Sequence, residues 1–206
     1  MQQVIAAKLV IPPDPRGFPP EAAWTSAHAV SFCTDWRGEN PDPDRETAVR
    51  LIWSFDCLFF RFDCHYREIF VYAGGNSRRD ELWLRDVAEV FIRPESDSPK
   101  HYREFEVSPN GDWLDLDISP GGKSVLFCNL KSSVVVDPER RIWTAELAIP
   151  MNCLTGSFDP ARAFRLNFFR IEGEEPNRFY SAWQPTRTPQ ANFHVPEVFG
   201  SLHFQL

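Results

Sequence analysis

His101-Tyr102-Arg103-Glu104-Phe105-Glu106-Val107-Ser108-Pro109-Asn110-Gly111-Asp112-Trp113-Leu114-Asp115-Leu116-Asp117-Ile118-Ser119 is the stretch whose reading decides the fold. At its centre, Pro109-Asn110-Gly111-Asp112 sets φ, supplies side-chain turn acceptors and tolerates a left-handed residue, the strongest turn signal in the chain. After the turn, Leu114, Leu116 and Ile118 alternate with Asp115 and Asp117. That period of two predicts a strand with one face in a core and the other in water. His101–Ser108 precedes the turn as its antiparallel partner, so the segment reads as a β-hairpin.

The same pattern recurs outward from this hairpin. Thr47–Ser54 and Cys57–Cys64 alternate apolar and other residues around a two-residue break, Phe55-Asp56, which predicts a second hairpin. Further strands are expected at 28–34, 87–93 (stopped by Pro94), 125–129, 132–137, 142–149, 164–172, 178–183 and 201–205. Only 78–84 and 150–154 leave room for a short helical turn, and no amphipathic stretch of proper helix length occurs. About a dozen short strands predict an all-β protein, a two-sheet antiparallel β-sandwich (jelly-roll/immunoglobulin-like) with very little helix. The expected organisation is one domain over 1–206, with the proline-rich segment 1–23 as an extended lead-in. Residues 65–85 form a long irregular insertion, and long loops in compact domains commonly bind ligands.

Composition narrows the function classes. Hydrophobic residues make up 43% and aromatic residues 14% of the chain, enough for a buried core, which argues against disorder. The net charge of −7 argues against nucleic-acid or acidic-membrane partners. Of the 22 basic residues 18 are Arg, whose planar fork suits ion pairs and the recognition of hydroxyls or carboxylates. Cys33, Cys57, Cys64, Cys128 and Cys153 are odd in number and have no close spacing. They read as free thiols in a reducing compartment, with no zinc motif. The N-terminal residues carry no signal-peptide pattern, so the sequence as given reads as cytoplasmic, or as secreted or periplasmic if a leader has been removed.

Two aromatics stand at predicted strand ends among polar residues. Trp83 lies where a loop runs into the strand 87–93, and Trp183 where the strand 178–183 runs out. A flat ring there suits the C–H face of a sugar while charged neighbours take its hydroxyls; the ordinary alternative is a Trp packed in the core. Glu89, Glu104 and Glu106 fall on adjacent predicted strands, Glu104 and Glu106 on one face, with Asp86 nearby. Such carboxylates could grip vicinal hydroxyls, catalyse glycoside cleavage, or form a solvated face with cross-strand charge pairs. Arg170 is expected to project from the sheet toward a carboxylate or a ligand. His194 is lone and reads as a backbone partner. No serine-hydrolase, zinc-protease or phosphate-loop motif is present, which argues against the commonest enzyme classes.

The runs Leu82–Ile92 and Tyr102–Gly111 are similar to family 9 carbohydrate-binding modules and their stand-alone relatives. So are Trp143–Pro150, Arg165–Arg170 and Phe193–Glu197, and the ordered set spans about residues 24–206. The resemblance implies a β-sandwich related to DOMON-type domains that binds sugars between two Trp side chains, with structural calcium in some members. By position Trp83 is the first clamp residue, Glu89 the carboxylate taking sugar hydroxyls and Trp183 the second clamp, with Arg170 and Glu106 in support. Asp63 and Asp86 are conceivable calcium ligands, though no EF-type spacing supports them. The expectation is a non-catalytic binder of a mono- or oligosaccharide, of open oligomeric state. A two-carboxylate glycosidase or lyase, a haem-binding domain and a protein-docking module are the rivals.

Overall fold

The computed structural model describes residues 2–206. Thirteen strands and two short helices follow in order: β1 (Gln3–Lys8), α1 (Glu21–Ser26), β2 (Ala29–Phe32), β3 (Thr47–Trp53), β4 (Cys57–His65), β5 (Val87–Pro94), β6 (Tyr102–Val107), β7 (Trp113–Ser119), β8 (Gly122–Val125), β9 (Lys131–Asp137), β10 (Ile142–Pro150), α2 (Met151–Leu154), β11 (Phe164–Glu172), β12 (Phe179–Ala182) and β13 (Gly200–Phe204). The protein is thus nearly all β. The strands hydrogen-bond in one curled path, β8-β7-β6-β5-β11-β13-β1-β3-β4-β10-β9, with β12 branching from β11 and β2 from β3.

The element that makes the path continuous is β1. Gln3 to Ala6 run beside Ser201 to Phe204 of β13, and Ala7 and Lys8 then pair with Ile52 and Trp53 of β3. Both pairings are parallel, which departs from the purely antiparallel expectation. β1 also departs from the reading of residues 1–23 as a lead-in. Val4 and Ala6 alternate inward and are buried while Gln3 and Ile5 are exposed, so this short stretch has strand periodicity that the following prolines obscure. The segment after it folds over as α1, burying Trp24 with Phe18 against Ile52, Phe59 and Ala148.

The two halves of the path face one another across the main core. Val90, Ile92, Phe105 and Phe168 come from one half and Leu51, Phe60, Phe62 and Leu147 from the other. The Phe168 ring lies 6.3 Å from Phe60 and 6.1 Å from Phe62, in edge-to-face contacts across the gap. Burying each such side chain contributes about 1.5–3 kcal/mol.

The hairpin around Asn110 forms, but its faces differ from the expectation. Asp115 is buried rather than solvated, accepting from the Arg78 guanidinium at 3.0 Å and from the Cys128 N–H at 2.8 Å. Leu114 and Leu116 pack instead into a second cluster with Leu82, Phe91, Tyr102, Phe169 and Phe199. The insertion before β5 and the loop after β12 therefore roof the outer face of this half. The turn locks into the insertion. A Cβ at Gly75 would lie 2.3 Å from the Asn110 carbonyl oxygen, and one at Gly111 would lie 2.4 Å from Asn76 Oδ1. Asp112 ties the two loops together, accepting from Ser77 N–H and Oγ at 3.1 and 2.9 Å, Arg79 Nε at 2.8 Å and Asn110 Nδ2 at 3.0 Å. Burial alone would raise its pKa, but these donors outweigh it and hold the carboxyl below its usual value. Asp112→Ala is expected to cost about 2 kcal/mol in urea unfolding, because it leaves those donors without their acceptor. An unchanged midpoint would show that the loops hold each other without it.

Candidate functional site

Strand alternation decides what the roofed face presents. On β5, Val90 and Ile92 point into the main core, so Glu89 and Phe91 point outward. On β6, Phe105 and Val107 point inward and Glu104 and Glu106 outward. Glu89 sits opposite Glu106 and Phe91 opposite Glu104 in the pairing register. On β11 and β12, Ile171 and Tyr180 are register partners on the same outer face. These side chains meet in a cavity of about 320 Å³ lined also by Trp83, Lys123, Asn192, Phe193 and His194. That volume is at the small end of ligand pockets, which run roughly 300–1,000 Å³.

Trp83 is delivered by a short 3-10 turn, Leu82–Leu84, whose first residue is buried as its anchor. Glu81 just before it adopts φ of 56°, a left-handed conformation that swings the chain over the sheet. The Arg178 guanidinium donates to the Trp83 carbonyl and, at 3.2 Å, to that of Arg85. The half-buried indole thus hangs from a fixed backbone. Across the cavity, the Phe193 ring stacks on Phe169 at 4.2 Å. His194 lies over Phe91 at 5.2 Å, and its Nδ1 is 2.7 Å from the Tyr102 hydroxyl. Lys123, on the outermost strand of this half, places its ammonium 3.9 Å from the centre of the Trp83 ring.

The floor is acidic and underpaired. Glu89, Glu104 and Glu106 are 2%, 4% and 0% exposed. Oε1 of Glu89, Oε2 of Glu104 and both oxygens of Glu106 lack a hydrogen-bond partner among the described residues. Burial drives the Glu89 carboxyl well above its usual pKa, the Glu104 charge adds to this, and Arg178 opposes it weakly. Glu106 is raised in the same direction, by burial first and then by Glu89 and Glu104. Unpaired buried acceptors are costly, several kcal/mol for a charge, and their concentration in one cavity marks a functional site.

Three of the expected site residues lie elsewhere. Trp183 is 4% exposed and belongs to the main core, its ring 5.5 Å from that of Phe168. The cause is alternation: Tyr180 and Ala182 lie on the outer face, so Trp183, one residue on, faces inward. Its N–H donates to the Phe168 carbonyl at 2.9 Å. Tyr180 is therefore the strand aromatic that reaches the cavity, and the same period-two count would have found it. Arg170 shares the inner face with Phe168, is fully buried, pairs with Glu172 at 3.1 Å and stacks on Trp143 at 4.9 Å. Its charge serves the interior. Glu106 does lie on the outer face, behind Glu89 and closed off from the cavity. Glu89 and Trp83 line the cavity, and Lys123 and His194 join them from the four-residue edge strand β8 and from a loop, which carry no periodic signal.

The two conceivable calcium ligands do not fit such an ion. Asp63 is held by Arg50 at 2.7 Å and Thr144 at 2.9 Å, and Asp86 accepts the N–H groups of Phe70 and Gly173 at 3.0 and 2.7 Å. Among the described residues no three His, Cys, Asp or Glu side chains are placed so as to hold a metal ion.

No protein-family model matches the chain. A curated "Extracellular protein" of Arthroderma benhamiae is 23% identical over 202 residues, covering 90% of this chain and 88% of that protein. The rat UPF0462 protein C4orf33 homolog is 30% identical over 130 residues, covering 60% of this chain and 61% of that protein. Among solved structures, a candidate carbohydrate-binding protein from Bacteroides uniformis superposes with a TM-score of 0.79 at 17% identity, over 99% of both chains. A family 9 carbohydrate-binding module from Caldicellulosiruptor kristjanssonii, solved with cellotriose and with glucose, superposes with a TM-score of 0.62 at 13% identity, over 99% of this chain and 94–96% of the module. The chain has the β fold of carbohydrate-binding modules of this kind.

Proposed function

We propose that this chain is a two-sheet β-sandwich, one domain over 1–206, that holds a mono- or oligosaccharide in the cavity without cleaving it. The carrying observation is the pairing of unsatisfied carboxylate oxygens on Glu89 and Glu104 with aromatic faces at Trp83 and Tyr180. Sugar hydroxyls supply donors to the first and the C–H face of the ring packs on the second. Glu106 is shut behind Glu89 and does not meet the sugar. The likeness to a module solved with glucose and cellotriose supports the same reading. A small, partly open cavity of this kind gives affinities on the order of micromolar to millimolar.

Calorimetric titration with glucose, cellobiose and cellotriose tests the proposal. Trp83→Ala is expected to weaken binding about tenfold or more through lost stacking, with little change in melting temperature because the indole is only half-buried. Flat titrations across the panel, or full affinity in Trp83→Ala, would overturn it. Release of a chromogenic leaving group from an aryl glycoside, abolished by Glu89→Gln, would replace binding by hydrolysis.

A further inference from the structure

We infer that this cavity prefers a sugar carrying a positively charged amine, so that the favoured ligand class is an amino sugar with a free ammonium group over a neutral sugar. The inference rests on the carbohydrate-binding reading and deepens it. Glu89 and Glu104 line the cavity and Glu106 lies behind Glu89; among the described residues none of the three is in an ion pair, and four of their buried oxygens, two of them facing the cavity from Glu89 and Glu104, have no hydrogen-bond partner. Neutral hydroxyls would satisfy the acceptors one at a time, whereas a cation also favours the ionised form of carboxyls that burial pushes toward the neutral form. A single ammonium supplies three donors and a full positive charge.

The protein already places such a group there. The Lys123 ammonium sits 3.9 Å over the Trp83 ring, and its field acts favourably on Glu106. The aromatic wall and acidic floor therefore form a place for a cation, and an exposed edge-strand side chain occupies its rim. Arg178, the other nearby cation, is engaged with the carbonyls of Trp83 and Arg85. A bare metal ion is a poor occupant, because the carboxylates do not converge as a ligand set. An organic ammonium needs no such convergence: its hydrogen-bonding reach and its affinity for an aromatic face match carboxylates spread along the floor beside Trp83 and Tyr180.

Calorimetric titration of the full chain with glucosamine, glucose and N-acetylglucosamine, at a pH where the free amine is protonated, tests this. Glucosamine is expected to bind about tenfold or more tightly than the other two, since acetylation replaces the ammonium by a neutral, bulkier acetamide and glucose has a hydroxyl, similar in size to the amine, in place of the nitrogen. Lys123→Ala should widen the preference by removing the internal competitor, and Glu89→Gln should narrow it. Lys123 is exposed, so that variant keeps the test open should Glu89→Gln fold poorly. Equal or weaker binding of glucosamine, with glucose still bound, would overturn the amine assignment and leave the sugar-binding reading standing. Absence of binding by all three would remove both.

Discussion

The stability of this protein is expected to fall as pH rises from about 5 to 8, the reverse of the usual gain on leaving acid, and Glu106→Gln should flatten that fall. The sign follows from the buried carboxyls. Burial raises the folded-state pKa of Glu89 and Glu106 above the roughly 4.3 of an unfolded Glu. As pH increases the unfolded chain loses these protons first. Over the interval between the two pKa values the folded state binds more protons, so its stability declines with pH. Each fully displaced group contributes about 1.4 kcal/mol per pH unit there, and the two titrate together rather than singly. Asp86, Glu146 and Glu172 are raised by burial as well and act in the same direction. Asp35 and Asp112 act oppositely: despite burial, their hydrogen bonds hold the carboxyls below the usual value. Their stabilisation is present above roughly pH 4 and is lost below it. Maximum stability is thus expected at about pH 4–5. Urea midpoints at pH 5 and pH 8 measure the effect. Glu106→Gln should be about 1–3 kcal/mol more stable than the parent at pH 8 and nearly equal at pH 5. Parallel pH profiles for the two proteins would mean that Glu106 is not a buried, unpaired acid.

The second large effect is expected at the indole that does not meet the ligand. Trp183→Ala should cost about 3–5 kcal/mol, with a melting temperature lower by roughly 10 °C, because it empties a Trp-sized volume where the two halves meet. The surrounding structure cannot collapse easily into that space. The site is so close-packed that a Cβ on Gly200 would lie 2.4 Å from Trp183 Cζ3 and 2.9 Å from the Gln2 carbonyl oxygen. The part of Trp183→Ala that remains folded should bind sugar like the parent, whereas Trp83→Ala should do the opposite and keep its stability. Thermal unfolding and titration of both variants separate the two roles. A Trp183→Ala protein that melts like the parent but loses sugar affinity would place that ring at the site after all.

The contrast between these two residues shows what local reading can reach. Both are Trp at a strand end beside polar residues, and residue type alone did not separate them. Counting alternation along Phe179–Ala182 separates Tyr180 from Trp183, but which parity faces the cavity depends on what the other face packs against. Arg170 departs from the sequence expectation for the same reason. An Arg in the row Phe164, Leu166 and Phe168 looked like a projecting charge, yet Glu172 and Trp143 make the interior hospitable to it. Asp115 repeats the lesson, since an alternating Asp marks the solvent face only when no Arg78 waits inside.

Periodicity and turn chemistry in the sequence by themselves determined that the chain is built from short strands. They also located the Asn110 hairpin and strands such as β7 and β11 to within a residue, because alternation and turn dihedrals are properties of neighbouring residues. Only the tertiary structure decided that β1 joins both halves by parallel pairing, that two loops roof one sheet face, and that Glu89, Glu104, Trp83 and Tyr180 share a cavity. Those facts depend on contacts between residues far apart in the chain, and their strength comes from burial, which no local pattern encodes.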